Sequence, residues 1–353
     1  MSAAATWRAR GALGLVALLL VGAGYPVGVT RAAPAGQVDP NVVVQITSPQ
    51  PGQQLQGQVE IAGYAADQRS PSGSGLNERD IRLYLNDASD EQNLVDYAAA
   101  GLDSPSAAAA LGPRFAQVGF GDTWQTCAFP PGHYQLIVWV SSLVAPGSRN
   151  VASVDVDVAP CPPGQSLYSL QADTIRISPP DARGIRVPQL FADVAAGADM
   201  RCAPADEFCA YDIRFREVPG PTGSLTNART DGFYFFNVSP TRGTISLYYR
   251  PPAADPSVGS SRDVRLVPPT PSPVVRRGTA TNRLAVVVQG DWIRCFVNGE
   301  QVVDVHDTQG KWGQMAWGAE SVAHAPSVEV DVANAVITTP GPLAALGPVL
   351  AGS

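Results

Sequence analysis

The amino-acid sequence predicts an exported, all-β protein built as two successive β-sandwiches. Three observations carry that expectation. Short, alternating, β-branched segments recur along the chain, punctuated by Gly, Pro, Asn and Asp. Only residues 97–111 offer a helical turn, and Pro105 interrupts it. The first 35 residues form a separate apolar leader. With 353 residues the chain has room for two or three domains of ordinary size. Its 34 Gly and 32 Pro, nearly a fifth of the chain, with only 16% charged residues, fit a turn-rich globular protein and exclude a disordered one.

The elements follow in order. Arg8 and Arg10 precede an apolar run over 11–24 that is too short to span a bilayer comfortably. Residues 1–35 therefore read as a signal peptide, with Ala33-Pro34-Ala35 as the cleavage site and Val21-Gly22-Ala23 as its rival; an uncleaved N-terminal anchor is the alternative. Strands are expected at 42–48, 58–63, 81–86, 133–142 and 150–158, making a first sandwich over 42–159. A Pro-rich stretch begins at Ala159-Pro160-Cys161-Pro162-Pro163-Gly164, so 160–172 reads as a stiff linker. Strands resume at 173–177, 210–216, 232–238, 244–250, 283–289, 292–298, 301–305 and 327–337, a second and larger sandwich over 173–338. Gly290-Asp291 and Asn298-Gly299 supply hairpin turns. The uncharged tail, 339–353, is expected to be disordered and is too short to span a membrane.

Charge and cysteines narrow the function classes. Basic character is almost all Arg, with Lys311 the only lysine. Loss of residues 1–35 removes three Arg and no acid, leaving 21 basic and 31 acidic side chains and a net charge of −10. Such a chain has no basic footprint for nucleic acid and no polybasic patch for anionic lipid. Five cysteines, none at C-x-x-C spacing, and three scattered His argue for disulfides in an oxidising compartment and against a zinc site. Cys295 lies mid-strand and is the odd thiol. Cys202 and Cys209 bracket a short polar loop, and Cys127 and Cys161 flank two strands expected to form an antiparallel hairpin. The expected bridges are therefore Cys127–Cys161 and Cys202–Cys209.

Residues 282–305, NRLAVVVQGDWIRCFVNGEQVVDV, followed by Asp307 and Gly310-Lys311-Trp312-Gly313, resemble the signature hairpins of concanavalin A-like lectin/glucanase (laminin-G-like) sandwiches. Asp231 to Phe236 and Thr244 to Tyr248 resemble the strands that precede them, so the likeness covers about 205–338, with a Gly- and Pro-rich insertion at 217–229. Residues 45–158, best at ITSPQPGQQLQGQVEIAGYAAD with Pro131-Gly132-His133-Tyr134 further on, resemble bacterial immunoglobulin-like domains of surface proteins. The two resemblances imply an immunoglobulin-like spacer followed by a concanavalin A-like jelly roll, secreted or held at the cell surface.

The chemistry expected is recognition, not catalysis. Some lectin-like sandwiches are glycosidases that set E-x-D-x-E on one strand, with paired carboxylates about 5–5.5 Å apart in retaining enzymes. This chain has Glu329-Val330-Asp331-Val332-Ala333, in which the second Glu is missing, so the segment reads as a solvated strand face. No G-x-S-x-G, H-E-x-x-H or P-loop is present, and no cofactor is expected. The acidic loop of Asp87, Asp90, Glu91 and Asp96 has no EF-hand spacing and reads as charged surface, so no metal is assigned. The resemblance places Ile293, Cys295 and Val297 in the core, and alternation then turns Trp292, Arg294 and Phe296 outward. The same alternation turns Phe233, Phe235 and Tyr248 outward. Trp312 and Trp317 stand in loop-like sequence beside Gly. These eight are the candidate ligand contacts. Five outward aromatics need a cover: a ligand, the first sandwich or the 217–229 insertion, with a protein segment favoured. The reading is extracellular recognition of a glycan or another surface molecule. A structural envelope protein is the alternative, and a glycoside hydrolase the third.

Overall fold

Alternating apolar residues with turn residues between them can bury only one face per strand, so the strands must pair face to face as sheets. The computed structural model shows four such sheets. It describes residues 37–76, 81–90, 93–177, 182–203, 209–217, 232–251, 263–320 and 328–351. The expected signal peptide, Glu91, Asp231, His324 and almost all of the 217–229 insertion lie outside the described residues.

In the first sandwich one sheet runs β1 (Gln37–Val38), β10 (Ser148–Val158), β9 (Gly132–Ser141), β5 (Arg82–Leu85) and β6 (Leu94–Tyr97), with β3 (Gln54–Leu55) also on β10. The facing sheet runs β2 (Val42–Ser48), β4 (Gln58–Asp67), β8 (Gly119–Gln125) and β7 (Ala99–Leu102). Leu136, Val138 and Val140 of β9 and Val154, Val156 and Val158 of β10 point inward against Ile61, Phe120 and Trp124. Gly132 pairs with Val158 across the β9–β10 hairpin. That register brings the residues flanking the hairpin together, and Cys127 and Cys161 are bridged with their Cα atoms 5.5 Å apart.

In the second sandwich one sheet runs β11 (Ser166–Ile177), β22 (Val328–Thr338), β13 (Val194–Cys202), β18 (Asn282–Gln289), β19 (Trp292–Val297) and β20 (Glu300–His306). The other runs β12 (Ala182–Phe191), β21 (Gly313–Glu320), β14 (Ala210–Glu217), β15 (Phe233–Ser239), β16 (Thr244–Arg250) and β17 (Val264–Pro271). Ile293, Cys295 and Val297 join Tyr234, Phe236, Val238, Ile245, Leu247 and Tyr249 in the core, as the alternation requires. Cys202 and Cys209 are bridged, and Cys295 is a buried free thiol.

Four features differ from the expectations. Pro105 does not interrupt a helix but starts one: α1 (Pro105–Leu111) takes Pro in its first turn, where no amide partner is lost, and Ser104 Oγ accepts from Ala107 N at 3.2 Å. The Ala- and Gly-rich β13, invisible to β propensity, is the third strand of its sheet and is buried on both faces. The stretch expected as a linker to 172 already becomes strand at Ser166. The residues before it are fastened: Gln56 Nε2 donates to Pro160 O at 2.7 Å, and Thr339 Oγ1 to Pro162 O at 2.6 Å. The tail forms a 3-10 turn at Leu343–Leu346 and a short helix, α2 (Gly347–Ala351).

The junction between the sandwiches is packed rather than articulated. The described residues all fall in one compact unit, and a single apolar cluster runs through both sandwiches. Trp312 packs tilted against Phe129, ring centroids 5.8 Å apart, and donates its indole N–H to Leu94 O at 3.2 Å. The Ala192 and Asp193 amides both donate to Ala128 O, at 2.8 and 3.0 Å. Lys311 reaches Asn93 at 3.1 Å and Asp90, in the acidic surface loop, at 3.5 Å. No helix among the described residues is long and apolar enough to cross a membrane.

Candidate recognition face

The structure divides the eight expected contact residues among four places. Trp317 has no exposed surface and stacks on Tyr168 inside the second sandwich, at 5.9 Å. Trp312 is spent on the junction. Trp292, Arg294 and Phe296 share the outer face of β19, as expected, but that face is partly covered. Phe296 is buried against Ala195, Ala285, Val287, Leu346 and Val349. The cover is therefore the C-terminal segment, which was not among the covers expected. Gly197 explains how it fits: a Cβ there would stand 2.4 Å from Val349 O. Arg283 locks the segment down, donating to Pro348 O at 2.7 Å and Val349 O at 3.0 Å.

Trp292 stays half-buried with resident partners. Arg294 lies over its ring at 4.1 Å, His306 stacks parallel at 5.9 Å, and the indole N–H donates to Asp304 at 2.5 Å. Glu329 and Asp331, the incomplete glycosidase motif, are engaged as well: Arg176 holds Glu329 at 3.0 Å and Arg201 holds Asp331 at 2.8 Å.

Phe233, Phe235 and Tyr248 lie on the outer face of the other sheet, but Phe233 and Phe235 are buried and only Tyr248 keeps exposed surface; here the sequence reading missed half of the array. Strand register sets one row across the sheet as Arg186, Ala316, Arg214, Phe235, Tyr248 and Arg265. The row beside it runs Gly184, Gly318, Asp212, Asn237 and Ser246. Small residues on β21 make room for charge on β14: a Cβ at Gly318 would lie 2.3 Å from Asp212 Oδ1 and 2.8 Å from Arg214 Nε. Arg214 grips Asp212 with two bonds, at 2.9 and 3.3 Å, and Arg250 grips Asp263 at 2.8 and 3.0 Å. Both guanidiniums lie over Phe233, at 5.7 and 5.1 Å, and Phe235 stacks on Tyr248 at 4.9 Å.

Glu217 closes the array. A backbone irregularity between Arg214 and Glu217 lets this residue join the outer face out of simple alternation. Its Oε1 accepts from Arg186 at 2.5 Å, while its Oε2 is buried without a hydrogen-bond partner. Burial pushes the carboxyl above its ordinary range, against the pull of Arg186 and Arg214. Asp212, Arg214 and Glu217 all sit in the strand expected at 210–216 or at its end. The visible signal was D-x-R in a strand otherwise rich in core residues, and charge on a β-strand ordinarily reads as solvated surface. Among the described residues no group of three or more His, Cys, Asp or Glu forms a metal centre.

No protein-family model matches the chain, and no curated protein does. Among solved structures it is similar to a carbohydrate-binding module of family 66 from Bacillus subtilis, with 15% identity and a TM-score of 0.36, covering 49% of this chain and 94% of that one. It is similar also to a β-glucanase from Bacillus licheniformis, with 10% identity and a TM-score of 0.30, covering 59% and 79%. A Crh5 transglycosylase in complex with NAG has 12% identity and a TM-score of 0.34, covering 52% and 88%. The chain is an all-β protein of sandwiched sheets.

Proposed function

We propose that the chain is an exported, non-catalytic recognition protein that binds glycan on the outer face of the sheet containing β14, with the first sandwich, read as immunoglobulin-like, as its packed support. The observation that carries this reading is the Arg186–Glu217–Arg214–Asp212 array beside Phe235 and Tyr248. Arg186 and Tyr248 keep exposed surface, so the guanidinium would meet a sugar hydroxyl and the ring of Tyr248, backed by Phe235, an apolar sugar face, while Asp212, Arg214 and Glu217 are buried behind them. Glu217, itself without exposed surface, fixes the Arg186 guanidinium from below. Two disulfides support an oxidising, extracytoplasmic compartment.

The test is a glycan array with the full chain, followed by calorimetry on any hit. Tyr248→Ala and Glu217→Gln should lose the hit, whereas Trp292→Ala on the opposite sheet should keep it. Loss with Trp292→Ala alone would move the site, and reducing ends released from the bound glycan would overturn the non-catalytic reading. The alternative, a structural envelope protein, draws on the burial of Phe233 and Phe296 by resident atoms. A protein that binds nothing on the array while Tyr248→Ala and wild type stay alike would favour it.

A further inference from the structure

Asp122 lies on β8 between Phe120 and Trp124, whose rings are in the core, so alternation puts its carboxylate on the core side of the sheet. There it lines a cavity of ≈ 140 Å³ together with Asp96 of β6, Trp124, Gln125 and Gln189, the last contributed by β12 of the second sandwich. Most polar groups in this cavity lack a full complement, although the backbone amide of Thr123 reaches Asp122. Among the described residues no ion pair reaches either carboxylate; Asp96 accepts only from Tyr97 N, at 2.7 Å. The amide oxygens of Gln125 and Gln189 are shielded from water and have no donor. Trp124, 2% exposed, has its indole N–H without an acceptor. A buried polar set this incomplete implies a missing occupant.

The composition of the set selects the occupant. Two carboxylates and two amide oxygens are hard oxygen ligands, all acceptors, with an excess of negative charge. A neutral polyol would leave that charge uncompensated, and an ammonium group would offer Trp124 nothing to donate to. A hydrated divalent cation answers both needs. We propose that this cavity binds a calcium-type divalent cation through Asp96, Asp122, Gln125 Oε1 and Gln189 Oε1, with Trp124 donating to a water that the ion retains. Because Gln189 belongs to the second sandwich and the other ligands to the first, the ion ties the two together. This site is separate from the glycan face and does not depend on it.

The experiment uses the full chain stripped with chelator and titrated with Tb³⁺, whose luminescence Trp124 would sensitise, then with Ca²⁺ as competitor; thermal midpoints are recorded with Ca²⁺ and with chelator. The expected result is saturable emission displaced by Ca²⁺ and a midpoint raised by Ca²⁺. Both should be lost in Asp122→Asn and Asp96→Asn and kept in Asp331→Asn, an ion-paired surface acid. Near-UV circular dichroism confirms that each variant is folded. Absence of emission and of any midpoint shift with millimolar Ca²⁺ in wild type would overturn the proposal, as would an unchanged response in both cavity variants. Stabilisation by acid without any by Ca²⁺ would also overturn it, since a shared proton would then fill the carboxylate pair.

Discussion

Phe296 faces away from the core of its sandwich and yet is 2% exposed, because Leu346 and Val349 lie on it. Were the outer face of β19 open, polar replacement there would cost almost nothing. With the C-terminal segment docked, Phe296→Ala should cost about 3–5 kcal/mol, the range for truncating a buried Phe. Val349→Ala removes two buried carbons, worth about 1.6 kcal/mol at about 0.8 kcal/mol for each. Because the two side chains share one cluster, the double variant should lose less than the sum, with a coupling of roughly 0.5–3 kcal/mol. Urea unfolding followed by tryptophan fluorescence measures all three, read as shifts in midpoint at constant slope. Ile293→Ala, a core truncation on the other face of the same strand, should cost about 2–5 kcal/mol and serves as the reference. Loss of less than about 1 kcal/mol in Phe296→Ala, with Ile293→Ala in its expected range, would show that the segment is not docked and refute the covering argument.

Three further outcomes follow from the described geometry. Removing the Cys127–Cys161 bridge with a paired Cys→Ala variant should lower stability by about 3–4 kcal/mol, given the 34-residue separation, read from the same urea curves. Burial holds the Cys295 thiol well above its ordinary pKa, so a thiol reagent at pH 8 should label no cysteine in the native protein and one per chain after unfolding without reductant. Gly318→Val should push the Asp212–Arg214 pair aside, abolishing any glycan binding, while Gly299→Ala, at an open turn, should leave binding intact and lose only about 1 kcal/mol.

The sequence determined the all-β class, most of the strands flanking the two hairpins, both disulfide pairings and, once the family resemblance had said which face of β19 is inward, the inward set on β15, β16 and β19. These are local properties. Period-two alternation decides faces, Asn-Gly decides a turn, and the register of one hairpin decides which flanking cysteines meet. The tertiary structure decided what covers each outward face. Ala195 to Ala198 carry almost no strand signal, and they are strand because β18 and β22 pair on either side and α2 needs a floor without side chains. Trp292 and Phe296 are equivalent in periodicity, and one stays half-exposed while the other is buried, because only the second lies under a segment some fifty residues further along the chain. Asp96 reads as a member of an acidic surface loop, and Asp122 as an ordinary polar residue in a strand. Only the docking of Gln189 and Leu190 from the second sandwich encloses them, and burial then turns a hydrated charge into one that needs a partner.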